Sequence, residues 1–178
     1  MFSLKSIKNF VILHVETLGY LQEKNRTVCL VCFDALKVLN GEIAEKIKIF
    51  GHKNKQEVQY TKTVERKNKT GEEENALKNP ITSALEQLYA FIGDNPVVCW
   101  TNYSTIFDDF DADGESEVVL KDNKRIFLAN DLEFELEDFD GDVEDAFDLA
   151  ECLQIPCNRK MTEEVQVIYA IMKKLEVI

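Results

Sequence analysis

The chain has 178 residues, of which 45% are hydrophobic and 30% charged, with only 7 Gly and 3 Pro. That balance excludes a disordered polypeptide and suits one globular domain over residues 1–178 with a single well-buried core. The net charge of −12 disfavours nucleic acid as a partner wherever the acids gather.

Lys5 and Lys8 precede the apolar run Phe10-Val11-Ile12-Leu13. The run ends at His14 and Glu16, too short for a signal peptide or a membrane span. Phe10–Val15, Thr27–Phe33 and Ile43–Phe50 are rich in β-branched and apolar residues, which predicts three successive strands. Asn40-Gly41 supplies a hairpin turn between the second and third, because both residues tolerate positive φ, so an antiparallel meander opens the fold. Five cysteines, 29, 32, 99, 152 and 157, are odd in number and sit in apolar surroundings. They read as reduced thiols of a cytoplasmic protein. Cys29 and Cys32 form a CxxC on a strand, where positions i and i+3 point to opposite faces and cannot easily share a metal.

Charge then becomes uneven. From Lys46 to Lys69 eight Lys/Arg stand against two acids, a basic segment suited to a nucleic-acid contact. Residues 52–79 are polar and read as a mobile connection with room for a short helix, long for a compact domain. Pro80 opens a helix through Ile92, with Ile81, Leu85, Leu88, Tyr89 and Ile92 on one side and Gly93 past its end. Pro96–Trp100 reads as a buried strand and Ser104–Phe110 as a short helix. From Asp108 to Glu151 eighteen acids face three bases. Val143–Leu153 and Thr162–Leu175 show helical spacing, the second with Thr162 as its N-cap.

Three strands, a helix, a fourth strand and closing helices follow the order of the RNase H-like exonucleases. Val15-Glu16-Thr17-Leu18-Gly19, preceded by His14, resembles the first motif of the DEDDh-type 3′-to-5′ exonucleases, a strand ending in Asp-x-Glu-Thr-x-Gly. His14 stands where the Asp belongs. Trp100-Thr101-Asn102-Tyr103-Ser104 resembles the second motif, roughly Trp-Gly-Asn-Tyr-Asp, with Ser104 for its Asp. Arg159–Gln166 resembles the third, His-Arg-x-Leu-Asp-Asp-Ala-Arg, so Arg159 takes the His position and Glu164 that of the last Asp. The resemblance runs from about Phe10 to Leu175 and implies an α/β fold of RNase H-like exonuclease type: a mixed central sheet, its antiparallel meander followed by parallel strands, flanked by helices.

The family's chemistry uses two divalent ions about 4 Å apart, held by four carboxylates, with a His as general base. Carried over residue by residue, those five positions read His14, Glu16, Ser104, Glu164 and Arg159. An imidazole and a hydroxyl are poor ligands for Mg²⁺, and Arg159 cannot accept a proton. The resemblance therefore implies a catalytically degenerate member, a pseudo-exonuclease acting by binding a protein partner or a nucleic-acid end. The acidic face favours protein. A residual Mg²⁺- or Mn²⁺-dependent nuclease on single-stranded DNA or RNA is the alternative, with Asp108 joining Glu16 and Glu164 at one metal. Asp108 reads otherwise as a solvated acid, and His14 as a satisfied strand-end histidine.

Asp109-Phe110-Asp111-Ala112-Asp113-Gly114 fits the opening of a calcium loop. Leu120 occupies the position where an EF-hand needs its bidentate Glu, and Val118-Val119-Leu120 reads as a strand, so this is not an EF-hand. A non-helical Ca²⁺ loop in an adaptor protein is a third reading of Asp109, Asp111 and Asp113, against the plainer one of a solubilising acidic surface.

Overall fold

The computed structural model of the chain describes residues 7–23, 26–55, 71–100, 125–127 and 143–175. Three long strands come first: β1 (Phe10–Glu23), β2 (Arg26–Leu39) and β3 (Glu42–Lys55). Helices α1 (Gly71–Lys78) and α2 (Ile81–Ile92) lead to β4 (Val97–Cys99) and β5 (Arg125–Phe127). Helices α3 (Ala146–Cys152) and α4 (Glu164–Lys174) complete the set. None of the described helices is long and apolar enough to cross a membrane.

The strands form one mixed sheet in the order β3-β2-β1-β4-β5, with β2 antiparallel to both neighbours and β4 and β5 parallel to β1. The expected antiparallel meander followed by parallel strands is thus present. Asn40 (φ 54°) and Gly41 (φ 79°) make the β2–β3 turn, and two positive φ values in succession match the right-handed twist of a hairpin. The turn is tied down from outside: Asn9 Oδ1 accepts from the Asn40 backbone N–H at 2.8 Å, and the Lys8 carbonyl accepts from Gly41 N–H at 3.0 Å.

Strand alternation gives the sheet two unlike faces. One face presents Val11, Leu13, Val31, Phe33, Ala35 and Ile49 to α2, whose Ile81, Leu85, Leu88 and Ile92 are all buried. The helix lies close because β3 carries Gly51, where a Cβ would meet the Ala84 Cβ at 2.8 Å. Gly93 ends α2 at φ 59°, its N–H donating to the Tyr89 carbonyl, as the Pro80 and Gly93 limits predict. The other face presents Phe10, Ile12, Leu36 and Val38 to α3 and α4. A register shift at Thr17/Gly19, with Gly19 at φ 124°, turns Leu21 onto this second face beside Val28 and Leu30, against Ala76 of α1.

Several sequence expectations change. The connection assigned to 52–79 begins as strand through Lys55 and ends as helix α1, leaving only 56–70 outside the described residues. The backbone ladder with β2 extends β3 through residues whose polar side chains hide it. The last helix starts at Glu164, with Glu163 at the N-cap, not Thr162; the Thr162 hydroxyl instead accepts from the Asn158 N–H at 3.1 Å. Helix α3 starts at Ala146 behind a capping box of Asp145 and Asp148. The expected helix at 104–110 lies outside the described residues. None of the five cysteines forms a disulfide, and Cys29 and Cys32 take opposite faces of β2.

Candidate functional site

The second face of the sheet is apolar at both ends and charged in the middle. Along β1 the sequence Phe10, Ile12 continues on the same face as His14 and Glu16. Along β2, Val38 and Leu36 continue as Asp34 and Cys32. The register places His14 opposite Asp34 and Asp34 opposite Lys48, so three charged or titratable groups form one row across three strands. Lys46 stands in the next row, opposite Leu36.

The start of α4 covers this row. His14 Nδ1 lies 3.2 Å from Glu164 Oε2. Glu163 takes Lys46 as an ion-pair partner, with Lys48 Nζ at 3.7 Å from its other oxygen. Asp34 is only 5% exposed, and its Oδ1 has no hydrogen-bond partner among the described residues. A buried carboxylate without a donor is costly unless nearby cations or a proton compensate.

The pKa shifts follow from that crowding. Burial draws the His14 imidazole down, but the hydrogen bond to Glu164 and the charges of Glu164, Glu16 and Asp34 outweigh it and raise the net value. Burial pushes the Asp34 carboxyl up, only partly opposed by Lys46, Lys48 and His14. Burial likewise pushes the Cys32 thiol up to about 12, against Lys48 and with help from Asp34, Glu16 and Glu72. A thiol so protonated is no nucleophile.

The structure brings together His14 and Glu164, which the sequence assigns to separate motifs, and sets the exposed Glu16 on the same strand face two residues along. Arg159 is held elsewhere. Its Nη1 donates to Asp145 Oδ2 at 2.6 Å, its Nη2 donates to Asp148, and its guanidinium lies 5.2 Å from the Phe147 ring centroid. Ser104, Asp108 and the Asp109, Asp111 and Asp113 loop lie outside the described residues.

Asp34, Lys46, Lys48 and Glu163 were missed as site residues. A charged residue between Cys32 and Leu36 on an otherwise core-facing row was the available signal for Asp34. Lys46 and Lys48 were visible only as part of the basic segment.

The described positions do not fit the pair of divalent ions that the resemblance implies. Glu164 is engaged by an imidazole, and two lysines supply positive charge beside the acids. Among the described residues no three His, Cys, Asp or Glu side chains gather in a way that could hold a metal. The cluster can chiefly lock the first turn of α4 to the sheet and exchange protons at His14 and Asp34. No family model and no curated protein matches the chain.

Proposed function

We propose that the chain is a catalytically degenerate 3′-to-5′ exonuclease-like domain of RNase H-like type that acts by binding, with a protein as its partner. The observation that carries this reading is the pairing of His14 with Glu164, which joins the strand of the first motif to the helix of the third at 3.2 Å. Motif order alone does not require that meeting; a shared fold does. The mixed sheet, with its antiparallel meander followed by parallel strands, supports the same relationship.

The same pairing argues against hydrolysis. In the family's chemistry the motif carboxylates are left free for metal, whereas here Glu164 is taken up by His14, and Lys46 and Lys48 gather at the neighbouring Glu163. Arg159, at the position of the general base, cannot take a proton and is committed to Asp145 and Asp148. Protein is favoured over nucleic acid as partner because Lys46 and Lys48 of the basic segment turn to Glu163, while the acidic run from 108 to 151 repels phosphate.

The test is digestion of end-labelled single-stranded DNA and RNA by the purified chain in Mg²⁺ and in Mn²⁺, beside a Glu16→Ala variant. The proposal expects no digestion above buffer and no difference between the two proteins. Metal-dependent digestion that Glu16→Ala abolishes contradicts it.

A further inference from the structure

The connection from α3 to α4 folds back on α3 and borders an open, shallow cavity of about 430 Å³. Phe147 and Glu151 of α3 form one wall; Ile155, Pro156 and Cys157 form the other, with Arg159 beside them. The connection is firmly built. Gln154 at φ 57° ends the helix, Gln154 N–H donates to the Glu151 carbonyl at 3.0 Å, and Ile155 N–H reaches back to the Ala150 carbonyl at 2.8 Å. That wrap-around geometry closes a helix with the next residues packed against its last turn. Further on, the Asn158 carbonyl accepts from the N–H groups of Met161 and Thr162. Arg159 then ties the far end of the connection to the first turn of α3 through Asp145 and Asp148.

Two charged side chains line the cavity, Glu151 and Arg159. Arg159 is neutralised by two carboxylates, and freeing it for an anionic ligand would break both bonds. Asp145 reflects this: burial pushes its carboxyl up, but the Arg159 hydrogen bond and charge hold it below the ordinary value. Glu151 is exposed, and no ion pair of Glu151 occurs among the described residues. Of the remaining walls, Phe147, Ile155 and Pro156 are apolar and Gln154 is polar. Such a cavity suits a ligand with an aliphatic body and a cationic end.

We propose that this cavity is the docking site for a basic side chain, arginine or lysine, of a protein partner. The aliphatic stem lies against Phe147, Ile155 and Pro156 while the cation meets Glu151. Glu144, just before α3, and the one negative charge that Asp145 and Asp148 keep after pairing with Arg159 add attraction for a basic segment and repel nucleic acid. The site is separate from the His14–Glu164 cluster, so it goes beyond the nuclease question and stands or falls independently of it.

The test is an amide-resolved NMR titration of the full chain with three blocked pentapeptides, Gly-Ala-X-Ala-Gly, where X is arginine, norleucine or glutamate. The arginine peptide should produce saturable shifts confined to residues 147–159, the norleucine peptide weaker ones at the same amides, and the glutamate peptide none. Glu151→Gln should weaken the arginine peptide about tenfold, the loss of one charge-assisted contact. Glu42→Gln, an exposed acid on β3, should leave binding unchanged. The proposal is overturned by no saturable shift with the arginine peptide, by shifts lying mainly outside 147–159, or by equal binding to Glu151→Gln and wild type. Digestion of nucleic acid in the assay above would leave this result untouched.

Discussion

The two faces of the sheet are built from the same three strands, yet they answer to different physics. The face under α2 is apolar from Val11 to Ile49, and its contacts are interchangeable in kind, limited only by volume. The face under α4 runs from Phe10 and Ile12 into His14 and Glu16, and from Leu36 into Asp34. There His14 is matched to Glu164, and Lys46 and Lys48 to Glu163, while Asp34 lies buried beside them with its Oδ1 unbonded among the described residues. A packed apolar contact tolerates exchange and punishes voids; a buried charge punishes the loss of its partner.

Substitutions can separate these two behaviours. The largest effect belongs to the apolar face: Leu85→Ala, at a fully buried position, should cost about 2–5 kcal/mol in urea unfolding. Gly51→Val forces a side chain into the 2.8 Å approach between β3 and Ala84 and should cost about 1–3 kcal/mol. If both variants unfold at the wild-type urea concentration, the description of this face is wrong.

The charged face should respond to pH instead. His14 and Asp34 both have raised values, so the folded chain holds these protons more tightly than the unfolded chain. Their contributions are full below the ordinary values of 6.5 and 3.8 and are lost as pH rises through the raised ones. The melting temperature should therefore fall as pH rises above 6.5, and His14→Gln should flatten that decline. Asp34→Asn, which keeps shape and removes a buried charge, should melt no lower than wild type at pH 8; a marked drop would mean that Lys46 and Lys48 hold the carboxylate ionised. The smallest effect is expected at the exposed pair of Lys173 and Glu42, 2.9 Å apart, where Lys173→Ala should leave the urea midpoint unchanged.

Much of the fold was legible because its signals are local. Asn40-Gly41, the alternation in β2 and the Pro80 to Gly93 limits of α2 each declare an element within a few residues. The ends of the long strands were not legible, because Leu18 to Glu23 and His52 to Lys55 are held by a hairpin ladder rather than by an apolar pattern. Helix α1 was legible only as room for a short helix within the connection, for a related reason: Glu72-Glu73-Glu74 reads as solvated chain, and Ala76 finds its burial against Leu21, Val28 and Leu30. Of the site, the resemblance singled out His14 and Glu164 but could not foresee that they pair with each other. Asp34 and Lys48 become neighbours only once strand register is known. Arg159 was assigned to the cluster by motif position, yet its partners sit 14 and 11 residues back, at the start of α3.

The central claim is that His14 takes up Glu164, so that the cluster around them does not hold a divalent ion. The chain contains two histidines, so their ring-proton NMR signals form a built-in comparison: His14 in the cluster, and His52 on β3, whose Nδ1 is 2.8 Å from the Ala76 carbonyl. Adding Mn²⁺ broadens the signals of protons near wherever it binds. The account predicts that the His14 signal broadens no more than that of His52; selective broadening of His14, lost in Glu164→Gln, would contradict it.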